Sequence, residues 1–278
     1  MNAMQQIESG NFSVPRWSLF SPDFARVVSW NIDRGSKLHQ VIEFLAGEKP
    51  DIILLQEADL NARRTHNLNV AREIAQKLAM NYVFGREFQE LTQGTKTSPA
   101  YHGQATLSRW PISSPRIIRF QSQSHFWRPH WFLPDVPPFQ ERLGGRLALV
   151  SDASFAGKTI ATYNIHLESR ADDQLRCSQL TEVLEDSNRH TSNTTVLLAG
   201  DFNMDVSQGP AASPITRALF QDAFANHHEP TTPGSFLEHG RIIDWIFTRG
   251  RVRSLKPLVH RSVSASDHYP LSINVAFV

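Results

Sequence analysis

"VLLAGDFNMD" at residues 196–205 runs from aliphatic side chains straight into an acid, an aromatic, an amide and a second acid. Val196 to Ala199 have the length and branching of a fully buried strand, and Gly200 frees the backbone to turn sharply at its end. Asp201 then stands at a strand's carboxyl end, the edge of an open α/β sheet where ligands and chemistry gather. Alone, the acid reads two ways. It is a loop-initiating cap or a working group, because Asp and Asn also favour turns through local hydrogen bonds.

Working outward, apolar runs recur as "ARVVSWN", "DIILLQE", "ATLSRWPI", "RLALVSD", "KTIATYNIHLE", "TVLLAGD", "RIIDWIFTR" and "YPLSINVAF", at least eight strands in all. Helical spacing appears in "KLHQVIEFLAGE" (Leu38, Val41, Ile42, Leu45), in "NVAREIAQKLAM" (Val70, Ile74, Leu78) and in "DDQLRCSQLTEVLEDSNR" (Leu175, Leu180, Val183, Leu184). Many strands with few helices predict two sheets packed face to face, with helices covering the outsides. A chain of 278 residues with 40% apolar side chains can build that as one core, expected over 25–278 after an irregular extension over 1–24.

The totals exclude several classes. Twenty-eight basic against twenty-seven acidic residues leave a net charge of +1, so no global field points to nucleic acid or an anionic membrane. Cys177, the lone cysteine, rules out an internal disulfide and a cysteine-rich zinc site, and reads as a small half-buried helix residue. The N-terminus lacks a basic head with an apolar core, and no run approaches the roughly 20 apolar residues of a membrane span. A cytoplasmic protein is the expectation.

Polar groups end or interrupt six of the apolar runs: Asn31; Gln56 and Glu57; His166; Asp201 and Asn203; Asp244; and Asp267 with His268. An unpaired buried carboxylate or imidazole costs several kcal/mol, so these groups are satisfied by one another, by water or by a cation. Hard oxygen donors at Asn31, Glu57 and Asp267 suit Mg²⁺, with Mn²⁺ as a substitute, better than a closed zinc cage. Mg²⁺ keeps waters and bridges to phosphate oxygens, which makes phosphate the natural ligand.

The ordered set Trp30-Asn31, Gln56-Glu57, His166, Gly200-Asp201-Phe202-Asn203, Asp244 and Ser266-Asp267-His268 resembles the endonuclease/exonuclease/phosphatase superfamily from about residue 26 to the C-terminus. "GQATLSRWPI" is also similar to a family strand, with Gln104 where many members have Asn. The resemblance implies a four-layered α/β sandwich and metal-assisted hydrolysis of a phosphate ester, phosphodiesterase or nuclease in type. By the same resemblance, Glu57 binds the metal with Asn31 and Asp267 close to it. Asp201 deprotonates the attacking water and Asn203 places it. His268 contacts the scissile phosphate, Asp244 fixes its tautomer, and His166 is a second phosphate contact.

Alternatives stay open beside this reading. A serine hydrolase would need Ser266 or Ser169 to complete an Asp–His pair, but no Gly-x-Ser-x-Gly elbow occurs. The fold could also serve a lipid or inositol phosphate phosphohydrolase, or a non-catalytic binding module. "WNID" at 30–33 and "HLES" at 166–169, with Arg176, Gln179 and Leu180 on the following helix, are similar to the tyrosyl-DNA phosphodiesterase branch, although Phe202 replaces that branch's usual Thr. Within the Pro- and aromatic-rich segment 120–142, Phe126, Trp127, Arg128, Trp131 and Phe132 form a stacking surface for unpaired bases, a lipid-contacting loop or a cover over the core. His102, His125, His130, His227 and His228 read as surface or loop filling. Arg63 and Arg64 read as a phosphate contact or a solvated loop.

Overall fold

The strands run, in chain order, β1 (Ile7–Gly10), β2 (Phe24–Arg34), β3 (Ile52–Leu60), β4 (Asn81–Glu90), β5 (Ala100–Ser108), β6 (Ile112–Arg119), β7 (Arg142–Gly144), β8 (Leu147–Phe155), β9 (Lys158–His166), β10 (Thr195–Asp201), β11 (Gln221–Asp222), β12 (Asp244–Arg249), β13 (Val252–Val259) and β14 (Leu271–Phe277). The helices are α1 (Leu38–Glu48), α2 (Val70–Leu78), α3 (Asp173–Ser187) and α4 (Ala212–Arg217). These come from a computed structural model that describes residues 3–14, 23–124, 126–127, 129, 132, 142–155, 157–191, 194–225, 229–234 and 239–278. His125, His130, His227, His228, Arg128 and Trp131 lie outside the described residues.

One sheet is ordered β1-β4-β5-β3-β2-β14-β13, with β7 also on β4, and the other β11-β12-β10-β9-β8-β6. Each contains one parallel pair among antiparallel neighbours, β2 with β3 in the first and β9 with β10 in the second, so both are mixed. Period-two alternation lays out the layers. Ala25 and Val27 of β2, Ile52 and Leu54 of β3, Ile160 of β9, and Leu197 and Ala199 of β10 share one buried cluster between the sheets. The intervening residues point outward: Val28, Trp30, Ile53 and Leu55 pack with Val41 and Leu45 of α1 and Ile74 of α2. Tyr163, Ile165, Val196 and Leu198 pack with Leu180, Val183 and Leu184 of α3. The result is a four-layered α/β sandwich. Among the described residues no helix is long and apolar enough to cross a membrane.

Further along the inward-facing positions, aliphatic side chains give way to polar ones. On β3 the series Ile52, Leu54 continues as Gln56, on β2 Ala25, Val27 continues as Ser29 and Asn31, and on β9 Ile160 is followed by Thr162, Asn164 and His166. Those polar groups bind the two sheets together. The β3–β5 register slips between Leu55 and Ala58, and the Asn164 amide reaches across from β9 to donate to Leu55 O (3.0 Å) and Ala105 O (2.9 Å). Its own oxygen accepts from Gln56 Nε2 at 2.7 Å. Gln104 makes a second bridge, donating to Leu147 O (2.8 Å) and accepting from Leu149 N (3.3 Å).

Several expectations change in detail. Gly200 lies inside β10 with φ +143°, not in a turn after it, and a Cβ there would stand 2.0 Å from Ile165 O. Close approach of β9 and β10 is therefore what requires glycine. "ATLSRWPI" spans two strands, since β5 ends at Ser108 in one sheet and β6 begins at Ile112 in the other. The extension expected to be irregular over 1–24 carries β1, which pairs antiparallel with β4 from Ile7 opposite Gly85 to Gly10 opposite Tyr82. The open edge of β4 supplies ladder hydrogen bonds that no local pattern in the short segment advertises. β4 itself escapes the strand reading because it carries Glu87 inside and Glu90 at its end, each paired to an arginine distant in sequence.

Replacing Asn164 by Ala removes the side-chain donor to two backbone carbonyls in the core and leaves the Gln56 amide only its 3.3 Å bond to Leu54 O. At about 1–3 kcal/mol for a buried group left without a partner, we expect a net loss of about 3 kcal/mol in urea unfolding, with the denaturant slope unchanged.

Candidate active site

The parallel pairs lead to one rim of the sandwich, bringing together His166 and Asp201 from the ends of β9 and β10 with Asn31 and Glu57 from the register slip in the second half of β2 and β3. Antiparallel partners begin where these end. Asp244, the first residue of β12, is therefore level with Asp201, and Asp201 is level with His166 on the other side. The turn into β14 adds Asp267 and His268, held by Trp30 Nε1 donating to His268 O at 2.9 Å and by Ser266 Oγ donating to Asn31 O at 2.7 Å. Ser266 thus spends its hydroxyl on a backbone carbonyl. It is not a nucleophile completing a triad.

Asp201 is 2% exposed and fixed from two sides. Asn31 Nδ2 donates to its Oδ2 at 3.1 Å, and the Asn203 backbone N–H donates to its Oδ1 at 2.8 Å. Both readings of the opening motif therefore hold together: the carboxylate closes an Asx turn with one oxygen and presents the other to the site. Asn203 has φ +53°, and its side-chain amide donates to Leu167 O at 3.0 Å, tying the β9 and β10 exits together. Facing Asp201 Oδ2 are His166 Nε2 at 3.5 Å and His268 Nε2 at 3.8 Å.

His268 accompanies Asp244 as expected, with Nδ1 2.8 Å from Oδ2. Thr231 Oγ1 donates to the same carboxylate at 2.6 Å. Burial disfavours the imidazolium, yet the negative charges of Asp244 and Asp201 outweigh it and raise His268 to about 10. Because this lies above the free value of 6.5, the ion pair contributes fully to stability below about pH 6.5 and is lost as pH rises through about 10.

Glu57 occupies the slip in β3 with φ +56°, which turns its side chain out of the ladder and into the rim. Burial opposes its charge, but His102, His166, Arg34 and Arg146 surround it and hold the carboxyl well below the usual range. Its nearest ring nitrogens, His102 Nε2 and His166 Nε2, are both 3.9 Å away. Among the described residues, no donor reaches hydrogen-bonding distance of the ionised carboxylate. Asp267 is pushed upward by desolvation and by the charges of Glu57 and Asp33. A carboxylate without donors beside other negative groups is what a divalent cation relieves, and an all-oxygen set suits Mg²⁺ or Mn²⁺. Asn31 Oδ1 accepts from Asp33 N at 3.2 Å and keeps a second lone pair. Asp201, Asp244 and His268 also offer ligand atoms within 4.8 Å of one another, but the Asp244–His268 hydrogen bond already uses two of them.

A second tier of charge lies behind His166. Arg146, 3% exposed, places Nη1 2.8 Å from Glu87 Oε1 and 2.8 Å from His166 Nδ1, and Nη2 3.0 Å from Ser169 Oγ. Glu168 accepts from Ser124 Oγ (2.6 Å) and Trp127 Nε1 (2.8 Å). Trp127 is thereby committed to the body, while Phe126 and Phe132 are 55% and 65% exposed. Arg64 is committed too, gripping Asp59 with Nε at 2.7 Å and Nη2 at 2.8 Å, so it does not wait for phosphate. His102 corrects the expectation of surface filling: it is 1% exposed, with Nδ1 3.2 Å from Asp59. The available signal was period two, since His102, Gln104 and Thr106 form one polar face of β5.

A family model described as Endonuclease/Exonuclease/phosphatase family matches residues 28–268. The chain belongs to that family. A search of curated protein sequences gave no match. Solved structures share its fold: an endonuclease/exonuclease/phosphatase from Beutenbergia cavernae (TM-score 0.67, 16% identity, covering 92% of this chain and 72% of that one) and one from Bacteroides vulgatus (0.66, 16%, 92% and 99%). TDP2 from C. elegans is similar as well, with TM-score 0.62 and 19% identity over 94% of this chain and 77% of its own. Family membership supports hydrolysis of phosphoester bonds.

With EDTA present, ¹⁵N-detected histidine NMR should show His268 doubly protonated until about pH 10, and Asp244→Asn should shift that titration down towards the free value of 6.5. Titration of the wild-type ring below pH 7 would contradict the ion-pair geometry.

Proposed function

We propose that this protein is a Mg²⁺-dependent phosphodiesterase of nuclease type, with the catalytic unit spanning residues 25–278. The observation that carries the reading is that one buried carboxyl group, Asp201, faces two imidazoles on one side and is held on the other by Asn31, which stands beside the Glu57 rim. Phosphoryl transfer needs an in-line nucleophile and neutralised equatorial oxygens more than covalent help, and this layout supplies both.

Asp201 takes the proton from the attacking water, its carboxylate held in place by Asn31 Nδ2 and Asn203 N. Asn203 contributes through that backbone N–H and by fixing the Leu167 turn. His268 meets the scissile phosphate as an imidazolium, positioned by Asp244, which in turn is held by Thr231. His166 supplies a second contact from β9. Glu57, Asn31 and Asp267 would hold the divalent cation, which when bound supplies charge neutralisation at the phosphate oxygens.

The aspartate supports the central test. Asp201→Asn preserves shape and removes the proton acceptor, so kcat on bis-p-nitrophenyl phosphate should fall about 10³-fold with KM little changed. EDTA should abolish wild-type turnover, and Mg²⁺ or Mn²⁺ should restore it. A panel of single-stranded DNA, RNA, 5′-phosphotyrosyl DNA, inositol phosphates and sphingomyelin would separate the substrate classes. No hydrolysis of any member with either metal, or full activity in Asp201→Asn, would defeat the proposal.

A further inference from the structure

Arg34, Arg64, Arg142 and Arg146 are each spent on an acid, Asp33, Asp59, Glu90 and Glu87 in turn. Two exposed arginines on the loops that leave β9 and enter β12 are held differently. Arg241 donates from Nη2 to the backbone oxygen of Asn203 at 3.3 Å, and the Arg170 guanidinium lies over the Phe126 ring, 5.4 Å from its centroid. Among the described residues no carboxylate forms an ion pair with either.

The fold carries Arg241 to its place. Phe202 N donates to Ile243 O at 2.8 Å, so the β10–β12 pairing continues past Asp201 and Asp244 and sets Arg241 alongside the Asn203 turn. Its backbone is pinned by the neighbouring loop, with Thr231 N donating to Arg241 O at 2.8 Å and Arg241 N donating to Thr232 Oγ1 at 2.9 Å. A guanidinium carries five N–H donors in a planar fork, and one long bond to a neutral carbonyl leaves most of them for an anion. Position decides which anion. The scissile phosphate is met by His166, His268 and the cation beside Glu57, and Arg241 lies outside that group, at the carbonyl two residues past the base. An anion bound there is the neighbour of the one being cleaved.

Resting on the reading of the rim as a phosphodiesterase site, we propose that Arg241 binds the phosphate next to the scissile one, so that the substrate is a single-stranded nucleic acid, a chain of diesters. Phe126 favours a strand over an inositol bisphosphate. It is 55% exposed, with its ring edge-on to Trp127 at 4.9 Å between centroids, and Trp127 is anchored on Glu168, two residues past His166. An aromatic face held there stacks a base, and the guanidinium beside it adds to the stacking. An inositol ring has no π-face to meet it. A net charge of +1 fits a short local contact better than a long duplex track.

The test uses full-length protein with Mg²⁺ and compares kcat/KM on decathymidylate with kcat/KM on bis-p-nitrophenyl phosphate, which has a single phosphate. That ratio should fall about tenfold in Arg241→Gln and stay within about threefold of wild type in Arg241→Lys, because a charge-assisted bond is lost only where a second phosphate exists. A merely structural role would lower both rates together and leave the ratio alone. From about 0.05 to 0.5 M KCl, the logarithmic salt slope of KM on decathymidylate should be shallower by about 0.7 in Arg241→Gln, the share of one single-strand phosphate contact.

An unchanged ratio in Arg241→Gln would overturn the inference. So would a wild type that cleaves bis-p-nitrophenyl phosphate but not decathymidylate, or that prefers inositol 1,4-bisphosphate, and each of these outcomes leaves phosphoester hydrolysis at the rim standing. If wild type cleaves no phosphodiester with either metal, the parent reading fails and this one falls with it. If Arg241→Gln does not fold, wild type carries the test. Per bond, a thymidine trinucleotide with two phosphodiesters should then be cleaved about tenfold faster at limiting concentration than a dinucleotide with one, the gap closing as KCl rises. Equal rates would overturn the inference.

Discussion

The hydrogen bonds of Asn164 are the constraint on which the site depends. Two sheets packed face to face ordinarily meet through apolar side chains, and over one half of this sandwich they do. Over the other half the ladder of β3 is interrupted so that Glu57 can leave it, and the interruption exposes carbonyls inside the core. Asn164, arriving from the opposite sheet, satisfies two of these and holds Gln56 at the same time. An amide is the only kind of side chain here that both donates twice and accepts, without bringing a charge into the core. Satisfying the bulge and joining the sheets are one act, and the direction of Glu57 follows from it.

Charge at the rim is organised by the same logic of paired partners. Each of the three imidazoles has a carboxylate beside one ring nitrogen: Asp244 for His268, Glu87 for His166 and Asp59 for His102. His268 and His102 turn the other nitrogen to the rim, whereas both nitrogens of His166 lie within 2.9 Å of Arg146 Nη1. The carboxylates are in turn held by Thr231, Arg146 and Arg64. These partners order the groups: at Asp59 and Glu87 they outweigh burial and lower the carboxyls, and at His268 they raise the imidazole, whereas at Asp244 burial wins and the carboxyl is raised. Such ordering before substrate arrives lets an enzyme stabilise a transition state without reorganising at the moment of reaction.

Much of this was legible from residue order. The acids, amides and imidazoles stood at the ends of apolar runs, and burial made their coincidence informative. Asp201, Asn31, Asp244, His166 and His268 were found that way, and the structure brings them to one rim. Glu87, Arg146 and Glu168 were not, because a charged residue in mid-strand, as Glu87 is, or just outside a strand, as Arg146 and Glu168 are, looks exposed until its partner is known, and those partners lie tens of residues away. His102 was missed for a different reason: its neighbours Tyr101 and Gly103 gave no apolar run to contrast with it, although every second residue of β5 from His102 is polar.

Sequence alone determined the strand and helix inventory in outline, two sheets packed face to face with helices outside, and the set of polar residues at the strand ends, since these depend on local periodicity and on the cost of burying polar groups. Tertiary structure decided which oxygen of Asp201 caps a turn and which faces the site, how the bulge aims Glu57, and which carboxylate holds each histidine. Those are distances of a few ångströms between segments far apart in the chain. They are set by strand register and by the packing of one sheet on the other, for which no single stretch of sequence carries the information.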